Sequence, residues 1–496
     1  MNVCDRIRIN AFAKVLILSF PAAISLAAVA QREVKPRWDQ AIALSRSTPT
    51  LQVVVNPPLR RDGSIHDASF SALKALGADY VRYVPWLPYP RLGVAELEPP
   101  TPTSTSWDFT HIDPIAVDFL EATKGHPVIL NFSTIPAWMY KTPERVGYPA
   151  DPGEVTWNYT RGSEMVDSSG RQVGEYYARL YSWYTKGGFT DELGKKHVSG
   201  HHYAIPYWEV LNEPDLEHRP TPEKYTRQYD AIVGAIKKVS PRTKFVGMAL
   251  AFEKDPHWFE YFLNPKNHRP GIPLDMISYH FYAALPVQSV EIMQYTYFST
   301  ADAFLDRVRY IESIRKRLSP STRTTIDEVG SILRDEEKPI APEYWNLSGA
   351  LFAYLYIELT KLKIDIIGES QLVGYPSQFP SVSMMNWKTG APNARYWVLK
   401  LLKDHFGPGN TLVHTDMVYD DDESVAAQGF VTAGGKKILL INKRNSNCTV
   451  RLPDAFKGGK ITSVDTSTGD SAPVTAGVDP LGLVELKPFS VTVVVE

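Results

Sequence analysis

From about residue 50 onward, short runs of apolar, β-branched and aromatic residues alternate with stretches whose apolar positions recur every three or four residues. The first kind fits strands buried on both faces, and the second fits amphipathic helices. Strands are predicted at 51–56, 80–83, 128–132, 207–211, 244–248, 276–279, 324–327 and 364–368. Helices are predicted at 69–76, 111–123, 175–186, 222–239, 257–263, 301–318, 343–362 and 391–405. Pro222 opens one of them, at a position where its missing N–H costs nothing. Eight strand–helix units imply a parallel sheet with helical crossovers, closed as a (β/α)8 TIM barrel of the α/β class. An open doubly wound sheet would carry a glycine-rich phosphate loop after its first strand, whereas here that strand runs into Asn56-Pro57-Pro58.

Beyond about residue 407 the pattern changes. Predicted strands at 425–432, 437–442, 449–452 and 490–495 are separated by Gly-, Asp- and Ser-rich turns, with no helical period. This predicts a C-terminal antiparallel β-sandwich, accessory and structural. At the other end, Arg6, Arg8 and Lys14 precede an apolar run from Val15 to Ala30 that closes on Ala28-Val29-Ala30. That is the form of a cleaved signal peptide, and Pro21 and the run's short length argue against a membrane anchor. The expected division is a signal at 1–30, an N-terminal extension at 31–49, a barrel at 50–406 and a sandwich at 407–496. The mature chain is then secreted, with no membrane attachment.

The chain has 496 residues, 44% of them hydrophobic, and a formal net charge of −2. A near-neutral balance without a basic stripe excludes a nucleic-acid surface. Of the two cysteines, Cys4 leaves with the signal and Cys448 is stranded, so no disulfide is expected. No CxxC or HExxH spacing occurs, and neither a metal nor a cofactor is expected. The 11 Trp and 26 Tyr residues are consistent with sugar stacking, although core packing uses most aromatics.

Chemistry concentrates at the predicted strand ends, where barrel loops open. Trp208-Glu209-Val210-Leu211-Asn212-Glu213-Pro214 closes the fourth strand. A carboxylic acid there can protonate a departing glycosidic oxygen if its pKa is raised. Thr324-Thr325-Ile326-Asp327-Glu328-Val329-Gly330 closes the seventh. A carboxylate nucleophile about 5–5.5 Å from the acid is what a retaining double displacement needs. Adjacent strand residues point to opposite faces, so only one of Asp327 and Glu328 is expected to aim inward. Glu328, the last before the loop, is taken as the nucleophile and Glu213 as the acid/base.

Several further residues are candidates for substrate binding. Arg82 on the second strand would keep a neighbouring nucleophile ionised, though a surface ion pair is the usual fate of an arginine. Asn212 precedes the acid. His280 and Tyr282 close the sixth strand, and core packing is their alternative. Trp387, after the eighth strand, could floor the sugar site or be buried between barrel and sandwich, and Trp138 in the third loop has a similar standing. Glu369 ends the eighth strand, where it could bind a sugar hydroxyl or replace Glu328. The long third loop, 135–173, is rich in Pro, Gly, Tyr and Trp and is expected to wall the cleft. Asn158-Tyr159-Thr160 and Asn346-Leu347-Ser348 match the N-glycosylation pattern, a triplet common by chance.

These residues resemble a clan A glycoside hydrolase over roughly residues 50–405. The resemblance matches Asn212-Glu213-Pro214 to the clan's acid/base at strand four, Glu328 to its nucleophile at strand seven, Arg82 to its strand-two arginine, and His280 and Tyr282 to its strand-six pair. Within the clan, 208–215 followed by the 222–239 helix is most similar to family 39. That likeness implies β-xylosidase or α-L-iduronidase-like activity, with an accessory β-sandwich. Leu211 stands where the family usually has Trp, and Asn56-Pro57-Pro58 where it often has His at the end of strand one. Both departures fall on the sugar pocket.

The expectation is therefore a retaining, exo-acting glycosidase with an oligosaccharide or polysaccharide substrate. Another clan A activity, an endo-β-glycanase or a β-glucuronidase-like enzyme, stays open. So does a barrel that binds polysaccharide without cutting it, which loss of one carboxylate would mark; both are present. Hydride or phosphoryl transfer lacks its phosphate loop.

Overall fold

The computed structural model describes residues 31–284, 289–334 and 339–496. The proposed signal, residues 1–30, lies outside the described residues. Eight parallel strands close into a barrel: Thr48–Val54, Val81–Val84, Val128–Leu130, Tyr207–Glu209, Lys244–Leu250, Met276–Ala283, Arg323–Ser331 and Ile366–Glu369. We number them one to eight. Neighbours in sequence are neighbours in the barrel, and strand eight closes on strand one with Glu369 opposite Leu51.

Alternation along each strand sorts side chains between two cores. Leu51, Val53, Tyr83, Leu130 and Trp208 face outward against the helices, where Tyr83 meets Phe119 and Trp208 meets Phe132, Tyr177 and Tyr181. Inside, the lower barrel is plugged by Ile129, Tyr207, Val246, Met276 and Ile366. Above this apolar layer the inward positions become polar, with Gln52, Arg82, Asn131, Glu209 and Ser278 all buried. Stacked inward layers of this kind fill a barrel and leave its upper rim for chemistry.

Two elements differ from the sequence expectation. The sixth helix begins at Val290 and runs to Leu318. Its first turns bury Met293, Tyr297, Phe298 and Ala301, a three- and four-residue spacing that polar neighbours dilute. A small hairpin, Gly188–Thr190 with Lys196–Val198, extends the helix Arg171–Thr185.

The residues expected as an N-terminal extension form a strand, Arg32–Leu44, in the C-terminal sheet. That sheet has nine strands in the order Thr475–Gly477, Lys460–Val464, Val491–Val495, Gly435–Asn442, Val425–Thr432, Thr411–Val418, Arg32–Leu44, Cys448–Arg451 and Leu483–Leu486. All pairs are antiparallel except Arg32–Leu44 with Cys448–Arg451. In place of two separate sheets, one curled sheet encloses a core of Val34, Ile438, Leu440, Val450, Phe456, Val484 and Val494. Its alternate residues Leu439, Ile441, Val491 and Val493 join the barrel's outer core, and the Phe430 ring lies 4.3 Å from that of Phe406. Because the central strands are covered on both faces, they read as continuous apolar runs rather than alternating ones.

Cys448 is free and buried in this sheet. Asn346 is buried on the helix Pro342–Lys361, which closes that triplet to a glycan, whereas Asn158 is exposed. No helix among the described residues is long and apolar enough to cross a membrane.

Barrel and sheet share one apolar core, so thermal unfolding should show a single transition. Phe430→Ala should destabilise that unit by about 3–5 kcal/mol. A calorimetric scan that separates into two transitions, or a variant melting at the wild-type temperature, would contradict a shared core.

Candidate active site

A single guanidinium organises the upper barrel. Arg82 is fully buried. Its Nε donates to Glu209 Oε2, its Nη1 to Gln52 Oε1 at 2.8 Å and Glu328 Oε1 at 2.6 Å, and its Nη2 to Asn212 Oδ1 at 2.7 Å. Strands one, two, four and seven thus meet on one side chain. Glu209 is held in turn by Asn131 Nδ2 at 2.7 Å and Ser278 Oγ at 2.5 Å.

Above Arg82 stands the carboxylate pair. Glu328 Oε2 accepts from Tyr282 Oη at 2.6 Å, and the same hydroxyl contacts Ser370 Oγ at 2.5 Å. Glu213 Oε1 lies 2.9 Å from His280 Nδ1, which is itself 3.4 Å from Glu328 Oε2. One oxygen of Glu213, one oxygen of Glu328 and a ring nitrogen of His280 all fall within 4.8 Å of one another.

Backbone irregularities aim these groups. Leu211 and Glu213 have φ of 66° and 39°, left-handed values that non-glycine residues rarely adopt. Glu213 N is tied to Ala249 O at 2.9 Å, beside a bulge in strand five. Strand seven carries its own bulge. Thr325 pairs with Ser278 and Glu328 with His280, so three steps on strand seven match two on strand six. The extra residue defeats simple alternation. Contrary to the one-inward expectation, Asp327 and Glu328 both point inside. Asp327 lies 3.6 Å from Arg82 Nε and 3.5 Å from His280 Nε2, one layer below the mouth, while Glu328 lines it.

The charges do not balance if every group is ionised: Glu209, Glu213, Asp327 and Glu328 face Arg82 and His280. Burial raises Glu213, and the charge on Glu328 raises it further against the pull of His280. Burial brings Glu209 up to about 7 despite Arg82. For Asp327 the desolvation is outweighed by Arg82 and His280, which hold it below the usual carboxylate range. His280 is opposed by burial, but Glu328, Asp327 and Glu213 raise it to about 10, so the imidazole is cationic at neutral pH. Burial and the neighbouring Glu328 thus suit Glu213 to carrying a proton.

A cavity of about 510 Å3 opens over the pair, lined in part by Gln52, Trp86, Asn212, Glu213, His280, Tyr282 and Glu328. Trp86 lines one side with Phe379, 6.3 Å away ring to ring, and Trp157 packs 5.5 Å from Trp86 outside the lining; contrary to expectation, no residue of the third loop, 135–173, lines this cavity. Phe252, Lys254, Arg307 and Arg334 lie on the lining too, with Arg307 paired to Glu253.

Three expected substrate contacts stand elsewhere. Glu369 is fully buried against Arg395 Nε at 3.0 Å, because its position in strand eight faces the last helix. Trp138 donates its indole N–H to Glu96 O at 2.9 Å and packs on the outer core. Trp387 is half-buried on that core and does not line the cavity. Conversely Gln52, Trp86, Glu209 and Glu217 went unassigned. For Gln52 and Glu209 the signal was there: a polar residue inside an otherwise apolar parallel strand must face a polar interior.

Residues 185–331, which hold both Glu213 and Glu328, match the family model described as glycosyl hydrolases family 39. The protein is a glycoside hydrolase. Among solved structures, this hydrolase is similar to a family 51 α-L-arabinofuranosidase from Bifidobacterium longum (TM-score 0.62, 12% identity, 93% of this chain and 99% of that one). An α-L-arabinofuranosidase from Thermotoga maritima (TM-score 0.59, 14%, 94% and 99%) and a family 30 endoxylanase from Clostridium papyrosolvens (TM-score 0.55, 14%, 93% and 99%) are similar in the same way. At these identities the likeness is one of fold, a TIM barrel with a β domain. A search of the curated proteins finds no match.

Arg82→Met should cost about 3–5 kcal/mol at pH 7, because it leaves a cluster of buried carboxylates without their cation. In the variant those carboxylates hold protons more tightly folded than unfolded. Its stability should then rise as pH falls from 7 toward 5, which denaturant melts at the two pH values would show. A pH-independent loss would contradict the electrostatic role.

Proposed function

We propose that the enzyme is a retaining, exo-acting, β-xylosidase-like glycosidase, exported by the signal at 1–30 and acting on oligosaccharides or polysaccharides. The observation that carries this is the close approach of Glu213 and Glu328 on either side of His280. A gap this small has no room for a water between sugar and base, which favours two displacements over one. In the first, Glu213 gives its proton to the glycosidic oxygen while Glu328 attacks the anomeric carbon. The carbon–oxygen bond breaks, the alcohol leaves, and a glycosyl ester forms on Glu328. In the second, Glu213, now a base, takes a proton from water as that water's oxygen displaces Glu328. The two inversions restore the starting anomer.

Arg82 and the Tyr282 hydroxyl orient Glu328 as the nucleophile. Asn212 lines the cavity beside the acid and is positioned for a sugar hydroxyl. Exo action is supported by the aromatic side that Trp86 and Phe379 give the cavity, backed from outside its lining by Trp157 of the long third loop. One observation favours a β-glucuronidase-like second reading: Lys254 and Arg334 on the cavity lining would suit an acidic sugar. A panel of aryl glycosides separates the two. Xyloside turnover without glucuronide turnover supports the first, and the reverse supports the second.

Glu328→Ala should abolish turnover, and azide should restore it with inversion, since a small anion can attack from the vacated space. If Asp327→Ala were inactive while Glu328→Ala kept its rate, the assignment would fall. Proton NMR of the first-formed sugar should show the substrate's own anomer; initial appearance of the other anomer would exclude Glu328 as nucleophile.

The pH–rate profile should be bell-shaped. Burial and the Glu328 charge raise Glu213, so activity should fall as pH rises through that raised value, above the ordinary carboxylate range. A Glu213→Gln variant that kept full rate and the same basic limb would contradict this.

A further inference from the structure

Glu217 stands one turn beyond the acid, its backbone N–H donating to Glu213 O at 2.8 Å. Its Oε1 accepts two hydrogen bonds, from Trp86 Nε1 at 2.7 Å and from Asn212 Nδ2 at 3.2 Å. Neither step of the double displacement uses this carboxyl. The same Asn212 accepts from Arg82, and Arg82 donates to Glu328. A continuous chain of hydrogen bonds thus runs from the aromatic wall to the nucleophile, and Glu217 is the link between the wall and the polar floor. Among the described residues Trp86 makes no other side-chain hydrogen bond to fix its ring, and it meets Trp157 and Phe379 edge-on or tilted.

We infer that Glu217 is a positioning residue that sets the Trp86 ring, through its indole N–H, in register with Asn212 and hence with the sugar bound over Glu328. This role rests on the glycosidase reading. A flat apolar sugar face needs its ring partner at one angle and height, and an indole free to swing offers neither. Holding Trp86 and Asn212 on one oxygen fixes the stacking face relative to the groups that meet the sugar hydroxyls. The residue thereby governs binding more than the chemical step, and it discriminates between sugars by shape.

The kinetics are to be read on an aryl glycoside that the wild-type chain hydrolyses. A failure of the hydrolase reading then shows in the wild type, and a failure of the Glu217 role shows only in the variants. Glu217→Ala should raise KM about fivefold, the scale of losing one ordinary hydrogen bond, with a smaller fall in kcat. Glu217→Gln retains an acceptor oxygen and should stay close to the wild-type KM. Trp86→Phe keeps a ring but lacks the N–H, and should raise KM to a similar degree. The double variant Trp86→Phe/Glu217→Ala should be no worse in KM than Trp86→Phe alone, because both changes cut the same link. Two losses that multiply, or a wild-type KM in Glu217→Ala, would overturn the role. If Glu217→Ala melts below the assay temperature, Trp86→Phe decides alone: an unchanged KM would overturn the role.

Discussion

A positive charge sealed inside a barrel has to be surrounded by its opposite. Arg82 meets that demand with Glu209, Asp327 and Glu328, and adds the side-chain oxygens of Gln52 and Asn212. Each partner comes from a barrel strand or, for Asn212, from the turn just past one. Their positions, and so the shape of the mouth, follow from satisfying one guanidinium. Desolvation at that depth makes both sides of the pairing obligatory: without its carboxylates the cation could not be buried, and without the cation the carboxylates could not stay ionised. The apolar layer of Ile129, Val246, Met276 and Ile366 beneath keeps water from entering from below.

The excess of acids over cations is what gives the site its chemical asymmetry. Glu213 and Glu328 share His280 Nδ1, yet of these two only Glu328 is also held by Arg82. Glu328 receives the guanidinium and the Tyr282 hydroxyl, while Glu213 receives the imidazole and lies in the field of Glu328. Different neighbours act on chemically identical groups, as the proposed division between proton donor and nucleophile requires.

Much of this was legible in the residues. Strict alternation of strand and helix gave the barrel, because buried parallel strands and amphipathic crossovers have distinct periods. Asn212-Glu213-Pro214 and Asp327-Glu328 stood out because charged residues at the ends of apolar strands have few structural uses. What failed did so for identifiable reasons. The two-residue rule for strand seven ignored a bulge, which no local composition announces. Trp387 and Trp138 both belong to rim loops, but a loop's tip and its base lie in different places. Glu369 is the mirror case of Glu209: each is a buried acid on a barrel strand, and only the tertiary location of Arg395 and Arg82 tells which way each faces. Trp86 and Glu217 belong together only because strands two and four come within reach across strand three.

The strand Arg32–Leu44 has a bearing on how the chain is made. It leaves the ribosome before any barrel strand, but both of its partners, Thr411–Val418 and Cys448–Arg451, come after the last barrel helix. Domains that fold as they emerge usually complete their contacts in order of synthesis. Here an early strand must wait through the whole barrel with its hydrogen-bonding edges open, and Val34, destined for the sheet core, has no core to enter until then. The two ends of the chain therefore close over the barrel like a clasp. The C-terminal sheet thus cannot be completed until nearly all of the chain exists.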